Sequence, residues 1–206
     1  MGKVFFDVAV SLDGFIAGPN RGPQNPLGDG GLALHDWMFK TATFREILQL
    51  GSGGETSSDD ERVRRVFDRA GAHVMGRNMF EEGEANWPEE APFHSPVFVL
   101  THDKREPWER KGGTTFYFVT DGIESALSQA KAAAKGKDVR ISGGAYTIKE
   151  YLHAGHIDEF TLHLAPVLLG EGVRMLDRLS RDKVKLEQVE SSGSELVTHV
   201  TYRVVR

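Results

Sequence analysis

The stretch that decides the fold spans residues 138–146 and reads Asp-Val-Arg-Ile-Ser-Gly-Gly-Ala-Tyr. Its first four residues predict a strand, and residues 146–152 predict a helix. Two adjacent glycines, Gly143 and Gly144, stand at the junction, where they allow a ligand to approach the backbone closely and permit unusual backbone torsions. A tight turn that merely requires glycine explains the same spacing equally well. The stretch therefore predicts a strand–turn–helix unit that is a candidate ligand site.

The alternation of strand and helix continues outward in both directions. Further strands are predicted at residues 4–10, 73–75, 96–100, 115–119 and 157–164. Further helices are predicted at residues 32–50, 61–70 and 123–135, with a short one after Arg77 and glycine-rich loops at residues 11–31 and 51–60. Residues 183–191 and 195–205 predict a terminal antiparallel hairpin across Ser192 and Gly193. This pattern is typical of an α/β domain with a mainly parallel sheet, which the hairpin extends at one edge.

Composition and charge exclude several classes of protein. The 206 residues include 25 Lys and Arg against 30 Asp and Glu. The formal net charge of -5 excludes a strongly basic nucleic-acid binder and leaves room for a local phosphate pocket. Because the chain has no cysteine, it has no disulfide, thiolate metal site or cysteine nucleophile. The length predicts one domain over residues 1–206.

Neither a membrane segment nor a metal site is expected. No apolar run approaches the about 20 residues of a membrane span, and Asp7 interrupts the short apolar stretch near the N-terminus. We therefore expect a cytoplasmic protein without a signal peptide. His153 and His156 have the spacing of metal ligands, but they lie at a predicted helix C-terminus, where the helix dipole favours histidine.

The residues that follow the predicted strands are the candidate site. In open α/β sheets, ligands bind beyond the carboxyl ends of the strands. Turn-forming or phosphate-compatible residues stand at four such ends, at positions 11–14, 76–78, 101–102 and 142–145. These positions should lie along one edge of the sheet, and such a row suits an extended ligand better than a compact one.

Two of these strand ends have the chemistry of phosphate ligands. Gly76 and Arg77 open a helix, where backbone N–H groups attract anions and the guanidinium offers a bidentate fork. Residues 101–105 bring together a hydroxyl, an imidazole and two cations, which suit a phosphate monoester such as the extra phosphate of NADPH. A surface arginine and a solvated charged loop are the alternative interpretations.

An acid begins the first predicted helix. Asp36 follows His35 and the glycine-rich loop, and it precedes Trp37. A carboxyl group there could protonate a heterocycle or hydrogen-bond its ring nitrogens. The helix dipole also favours an acid in a first turn, so a purely structural role explains the same residue.

Five segments in order resemble the dihydrofolate reductase superfamily, over nearly the whole chain. They are residues 8–17, 74–80, 139–145, 151–159 and 166–172. The last two are most similar to one branch, the riboflavin-biosynthesis reductase C-terminal domain and its stand-alone bacterial relatives. Each segment alone is a weak signal, whereas the ordered set is specific. Many dihydrofolate reductases carry threonine where this chain has Met79, so one hydroxyl contact to phosphate is absent.

The resemblance implies a three-layer α/β/α fold, NADPH as the hydride donor and a homodimer. It implies pterin or aminopyrimidine substrates that carry ribitol or ribose phosphate. The predicted function is thus an NADPH-dependent reductase of a pyrimidine or pterin heterocycle, similar to 5-amino-6-(5-phosphoribosylamino)uracil reductase of riboflavin biosynthesis. Because the cofactor carries the hydride chemistry, the protein has to supply orientation and a dry pocket.

The resemblance also implies a set of site residues. Ala9, Ile16 and Ala17 would line the nicotinamide pocket. Gly76, Arg77 and Asn78 would meet the pyrophosphate and the adenosine phosphate, and Thr101 and His102 would flank the 2′-phosphate. Ser142, Gly143, Gly144, Ala145, Tyr146 and Thr147 would complete the cofactor site, with a cis peptide between the two glycines. Asp13, Trp37 and His163 are the candidate substrate residues, and Asp36 is the candidate proton donor, directly or through water.

Three alternatives to this function stay open at this point. A member of the fold could bind the nucleotide without turnover, or it could reduce dihydrofolate or another small molecule. An unrelated phosphate-binding α/β enzyme, such as a sugar-nucleotide enzyme, is a third possibility, and it predicts no response to NADPH. His163 has a structural alternative as a core histidine.

Overall fold

The computed structural model describes residues 2–177, 179 and 184–205. Its strands are β1 Val4–Ser11, β2 Phe15–Ala17, β3 Ala70–Gly76, β4 Pro96–Leu100, β5 Trp108–Glu109, β6 Thr115–Val119, β7 Asp138–Gly143, β8 Glu159–Ala165, β9 Val173–Arg174, β10 Lys185–Gly193 and β11 Thr198–Val205. Its helices are α1 Asp36–Phe39, α2 Ala42–Ile47, α3 Ser58–Arg69, α4 Arg77–Glu84, α5 Ile123–Ala133 and α6 Ala145–His153, with a 3₁₀ turn at Gly31–His35. In the described part of the chain, no helix is long and apolar enough to cross a bilayer.

A nine-stranded sheet organises the described residues, in the order β10-β11-β8-β1-β7-β3-β4-β6-β5. The six strands from β8 to β6 are parallel neighbours. The hairpin of β10 and β11 adds antiparallel strands at one edge, and β5 does so at the other. The predicted α/β fold, with a mainly parallel sheet and a C-terminal antiparallel hairpin, is confirmed.

The two faces of the sheet differ in chemistry. On one face, Phe6 and Ile141 pack with Phe160 and with the apolar sides of α5 and α6 in the largest core cluster. Fully burying each such side chain contributes roughly 1.5–3 kcal/mol. Successive strand residues point to opposite faces. Asp7, which follows Phe6, and Arg140, which precedes Ile141, therefore lie on the other face, where α1 and α3 cover them. The face under α1 and α3 is therefore both buried and polar.

The predicted helix at residues 32–50 is wrong, because the chain forms a 3₁₀ turn and two short helices there. Thr41 interrupts the run with extended backbone, at φ -78 and ψ 142. Its Oγ1 accepts a hydrogen bond from Phe44 N at 3.3 Å, which caps α2. The prediction failed because the apolar periodicity continues through Thr41, although the side chain of this residue caps a new helix.

Two further boundaries differ from the prediction. Helix α3 begins at Ser58 rather than at Glu61, because the Ser57 side chain caps it by accepting from Asp60 N. The hairpin reverses at residues 194–197, where Ser194 N donates to Val197 O at 2.9 Å, so Ser192 and Gly193 belong to β10. The predicted start of that strand at residue 183 lies outside the described residues.

Candidate active site

A cleft of about 570 Å³ opens at the carboxyl ends of β3, β4, β6 and β7. These four strands are neighbours in the sheet, so the segments that follow them meet at one edge. Nine of the predicted cofactor residues line this cleft: Gly76, Arg77, Asn78, Thr101, His102, Gly144, Ala145, Tyr146 and Thr147. The strand-end argument thus brings together residues that are up to 71 positions apart in the sequence, from 76 to 147.

The glycine pair forms the floor between β7 and α6. Gly143 has φ 140, a conformation that favours glycine, and the peptide between Gly143 and Gly144 is cis, as the resemblance implies. A Cβ atom on Gly143 would lie 3.0 Å from Met79 Sδ. Neither Ser142 nor Gly143 is among the residues that line the cleft, and Ser142 Oγ is 3.0 Å from Nδ1 of the buried His73. The bare backbone of Gly144, which lines the cleft, leaves room for a ligand there.

Two helix N-termini meet at this floor. Gly76 is the N-cap of α4 and Gly144 is the N-cap of α6, and no side chain of the described residues caps either helix. The two ends approach closely, because a Cβ atom on Gly76 would lie 2.4 Å from Thr147 Oγ1. Uncapped N–H groups and the positive ends of two helix dipoles attract an anion.

The far wall of the cleft carries exposed charges. Nη1 of Arg77 is 3.3 Å from Asp103 Oδ2, and Nε of Arg77 is 3.5 Å from Glu81 Oε1. Thr101 Oγ1 accepts from Asp103 N at 3.0 Å, which shapes the turn after β4. The adjacent His102 is exposed to solvent at the cleft. This wall can therefore present a guanidinium and an imidazole to a phosphate.

Several cleft residues were missed at the level of sequence. They include Arg21, Thr120, Gly122, Ile123, Glu150 and Val173. The strand-end rule, applied to β6 as well, would have found Thr120. Arg21 had no local signal, because it lies in an irregular loop and reaches the cleft only through the tertiary structure.

The predicted nicotinamide and loop residues lie away from the cleft lining. Ala9 packs in a small apolar cluster with Leu34 and Ala165, and Ala17 is buried while Ile16 is half-buried. Asp13 accepts hydrogen bonds from Ser11 Oγ and from two backbone N–H groups of the loop at residues 169–170. The Ser11 hydroxyl, together with these N–H groups, lowers the pKa of Asp13 to about 2. Asp13 therefore ties two loops together.

The remaining predicted substrate residues lie under α1. The Trp37 ring is buried, with its centroid 4.9 Å from that of His163 and 5.0 Å from that of His199. Trp37 and His163 border a cavity of about 10 Å³, a volume on the scale of one water molecule. Asp36 is exposed on α1 and is not among the residues that line the cleft. The structure thus separates the predicted residues into a cofactor-side group and a group under α1.

A buried chain of polar groups crosses the sheet beneath α1 and α3. Asp59 Oδ1 is 3.1 Å from His199 Nε2, the two histidines meet through their Nδ1 atoms, and His163 Nε2 is 3.3 Å from Asp7 Oδ2. Arg140 Nε lies 2.7 Å from Asp7 Oδ1. Although burial opposes ionisation, Arg140 and His163 hold the pKa of Asp7 at about 2. The chain of contacts pairs each buried charge, as burial in a low-dielectric interior requires.

Burial keeps three histidines of this region uncharged. Desolvation lowers the pKa of His35 and of His199 to about 4, and it lowers that of His73 to about 3. Of the polar chain, only His163 was identified from the sequence. A signal did exist for Asp7, because it is an ionisable residue inside the mainly apolar strand β1, whereas β7 and β11 also carry Asp138 and Arg203. Among the described residues, no three His, Asp or Glu side chains are grouped as metal ligands.

The sheet and its cleft define an α/β protein with the fold of dihydrofolate reductase. Dihydrofolate reductase from Enterococcus faecalis, complexed with NADP(H) and RAB-propyl, has this fold with a TM-score of 0.57 at 14% identity, covering 98% of this chain and 96% of that one. The model of the RibD C-terminal domain family matches residues 2–198, and the chain belongs to that family.

Two further relatives have nearly the same extent as this chain, and a third is longer. A Shewanella sp. PV-4 protein assigned to riboflavin biosynthesis has a TM-score of 0.67 at 23% identity, with full coverage of both chains. The uncharacterized protein YyaP of Bacillus subtilis (strain 168) is 26% identical over 196 residues, which are 95% of this chain and 92% of that protein. The chain matches 57% of the bifunctional deaminase/reductase of Thermotoga maritima, with a TM-score of 0.61 at 14% identity. The predicted resemblance is confirmed, and the family and its structural neighbours include reductases.

Proposed function

We propose that the chain is an NADPH-dependent reductase of a pyrimidine or pterin heterocycle. The observation that carries the proposal is the cleft, in which two uncapped helix N-termini, the bare Gly144 backbone and the exposed Arg77 and His102 face one volume. The volume of about 570 Å³ is within the range of small-molecule and cofactor sites. The donor set fits a ligand with several phosphates along one edge of the sheet.

The cofactor fits the chemistry of the cleft. The N-termini of α4 and α6 would bind the pyrophosphate, and Arg77 with His102 would bind the 2′-phosphate. Leu100, Val119 and Ile123 supply apolar surface for a flat base. When it is bound, NADPH supplies a hydride, and the chain has to orient the substrate and exclude water.

The accompanying proton needs its own donor. Asp36 is the proposed donor, acting directly or through water, although it is exposed in this structure. An Asp36→Asn variant should bind NADPH normally and turn over substrate at least about tenfold more slowly, because general acid catalysis contributes roughly 10²–10⁴-fold. Unchanged turnover in this variant would assign proton delivery to water or to another residue.

The names of two structural neighbours support the choice of the substrate classes to test. The Thermotoga maritima protein is named as a 5-amino-6-(5-phosphoribosylamino)uracil reductase, and the Enterococcus faecalis protein as a dihydrofolate reductase. We propose an aminopyrimidine that carries a sugar phosphate as the first substrate to test, and dihydropterins as the second. Reduction requires a polarised C=N or C=O bond, which receives the hydride at carbon and the proton at the heteroatom.

The test has two stages. Titration with NADPH, followed by energy transfer from Trp37, Trp87 and Trp108 with NADH as the control, should show saturable binding that prefers NADPH. Consumption of NADPH is then measured with each substrate class. Binding of neither nucleotide would overturn the proposal, whereas binding without turnover would favour the second candidate, a nucleotide-binding member of the fold. The exposed position of Asp36, outside the cleft lining, favours that candidate.

A further inference from the structure

We propose that Arg21 is a phosphate ligand of the cleft, held in position by Glu82. The inference deepens the proposed function, because it assigns a binding residue to the same cleft. Arg21 lies in the loop between β2 and the 3₁₀ turn, and Glu82 lies on α4, 61 residues further along the chain. Both side chains are largely buried, with 23% of the arginine and 11% of the glutamate exposed.

The contact between the two residues uses one edge of the guanidinium. Nε of Arg21 donates to Glu82 Oε1 at 2.9 Å, and Nη2 donates to Oε2 at 3.0 Å. Nη1 makes no hydrogen bond to any of the described residues. A Cβ atom on Gly144 would lie 3.9 Å from Nη1 and 4.0 Å from Nη2. The bidentate pair therefore leaves Nη1 beside Gly144, without a hydrogen-bond partner among the described residues.

Arg21 places a positive charge beside the N-terminus of α6. Gly144 caps α6 without a side-chain hydrogen bond, and the positive end of the α6 dipole disfavours a neighbouring cation. A guanidinium held there is stabilised by an anion that contacts both Nη1 and the first turn of the helix. A phosphate matches the planar fork of arginine and the N–H groups of a helix N-terminus. The guanidinium of Arg21 and the N-terminus of α6 therefore favour the same ligand, an anion of the size of a diphosphate.

The loop that carries Arg21 is ordered by contacts of its own. Gly18 N donates to Leu27 O at 2.8 Å, and Gly22 and Asn25 exchange backbone hydrogen bonds. Asn86 Nδ2, one turn beyond Glu82, donates to Pro23 O at 2.9 Å. The loop is thus anchored to α4 on one side of the cleft. An anion bound by Arg21 and α6 would connect it to the other side as well.

The experiment measures binding of NADPH, ADP and inorganic pyrophosphate to the full chain and to Arg21→Gln. We expect the variant to lose about tenfold or more in affinity for all three, which is the loss of a hydrogen bond to a charged group. The dependence of binding on salt should weaken as well, since one cation is lost. The matched control is Arg69→Gln, because Arg69 is similarly buried, with 29% exposed, and pairs with Asp138 and Glu159 without lining the cleft.

The control should bind each probe with an affinity within about twofold of that of the unchanged chain. Thermal unfolding of both variants shows whether each loses comparable stability. A second readout is hydrogen exchange at residues 18–31, which pyrophosphate should slow in the unchanged chain and leave unaffected in Arg21→Gln. Equal affinity of Arg21→Gln and the unchanged chain would overturn the inference and leave the proposed reductase standing. If the chain binds pyrophosphate through Arg21 but binds no NADPH, the result would support the inference and contradict the proposed function.

Discussion

His163 and His199 share a hydrogen bond between their Nδ1 atoms, which are 2.7 Å apart in the buried interior. The two residues are directly opposite each other on the antiparallel strands β8 and β11. Only one proton fits between the two nitrogens, because two N–H groups facing each other at this distance would repel. The pair is closed at both ends by carboxylates, Asp7 and Asp59. The contact between β8 and β11 is therefore sensitive to one added proton.

The first prediction is a loss of stability in mild acid. The pKa values of His35 and His199 fall to about 4 and that of His73 to about 3, below the ordinary value of 6.5. In this range the unfolded chain binds more protons than the folded one, so stability decreases as the pH falls from about 6.5 towards 4. Each histidine contributes up to about 1.4 kcal/mol per pH unit within its window.

Urea unfolding between pH 7.5 and pH 4 measures this loss. Replacement His199→Gln should lower stability at pH 7, because Asp59 and His163 lose a partner, and it should flatten the decline below pH 6.5. Below pH 4 a further loss follows from Asp7, whose lowered pKa of about 2 stabilises the folded chain only while its carboxyl is ionised. A free energy of unfolding that is constant from pH 7 to pH 4 would contradict the prediction.

The second prediction concerns the meeting point of α4 and α6. Replacement Gly76→Ala places a Cβ atom 2.4 Å from Thr147 Oγ1, although the backbone of Gly76, at φ -82, accepts any residue. We expect a loss of about 1–3 kcal/mol in the free energy of unfolding, which is the usual cost of overpacking. NADPH affinity should fall as well.

Adding Thr147→Ala to Gly76→Ala removes the clashing oxygen and should recover most of the lost stability. The single variant Thr147→Ala provides the baseline for this comparison. The prediction fails where Gly76→Ala unfolds at the same urea concentration as the unchanged chain, or where the double variant is no more stable than Gly76→Ala.

The third prediction concerns cofactor preference. Replacement His102→Gln should raise the Kd for NADPH about tenfold and leave that for NADH within about twofold, because only NADPH carries the 2′-phosphate. The control is His153→Gln, since His153 is also exposed but lies at the end of α6, away from the cleft lining. Equal losses for both nucleotides would show that His102 does not distinguish them.

The fourth prediction is a homodimer that forms through β10. This strand stands at one edge of the sheet, and each of its residues is exposed, including Leu186 and Val189. An edge strand with exposed apolar residues pairs readily with a second chain, and lysine opposes such pairing. Light scattering should find a dimer for the unchanged chain and a monomer for Leu186→Lys/Val189→Lys.

The control is Leu168→Lys, because Leu168 is exposed and lies outside the hairpin. This variant should remain a dimer. A monomer at all concentrations of the unchanged chain, or a dimer that survives both changes in β10, would contradict this interface.

Much of the lining of the cleft could be predicted from the sequence. Parallel strands end at one edge of the sheet. Once β3, β4 and β7 are recognised as strands, the residues that follow them are therefore expected to lie at the same edge. Gly76, Thr101 and Gly144 lie together for this reason. Strand ends are local features, because hydrophobic runs and glycine turns mark them within a few residues.

The predictions were weakest where long-range contacts decide the structure. The helix expected at residues 32–50 is divided at Thr41, because a side-chain cap outweighs continuous apolar periodicity. Asp36 stands exposed on the short helix that results. Its position depends on how the 3₁₀ turn and α1 pack onto the sheet, and a pattern of residues along one segment does not contain that information.

By itself, the sequence determined the α/β class, the common edge at which the parallel strands end and the glycine pair at one of these ends. Only the tertiary structure decided that Arg21 faces Gly144 and that His163 meets His199 in a buried chain of charges. The physical reason is the range of the interactions. Backbone propensity and hydrophobic alternation act between neighbours in sequence, whereas a buried ion or hydrogen bond is paired by whichever partner the complete fold brings within about 3 Å.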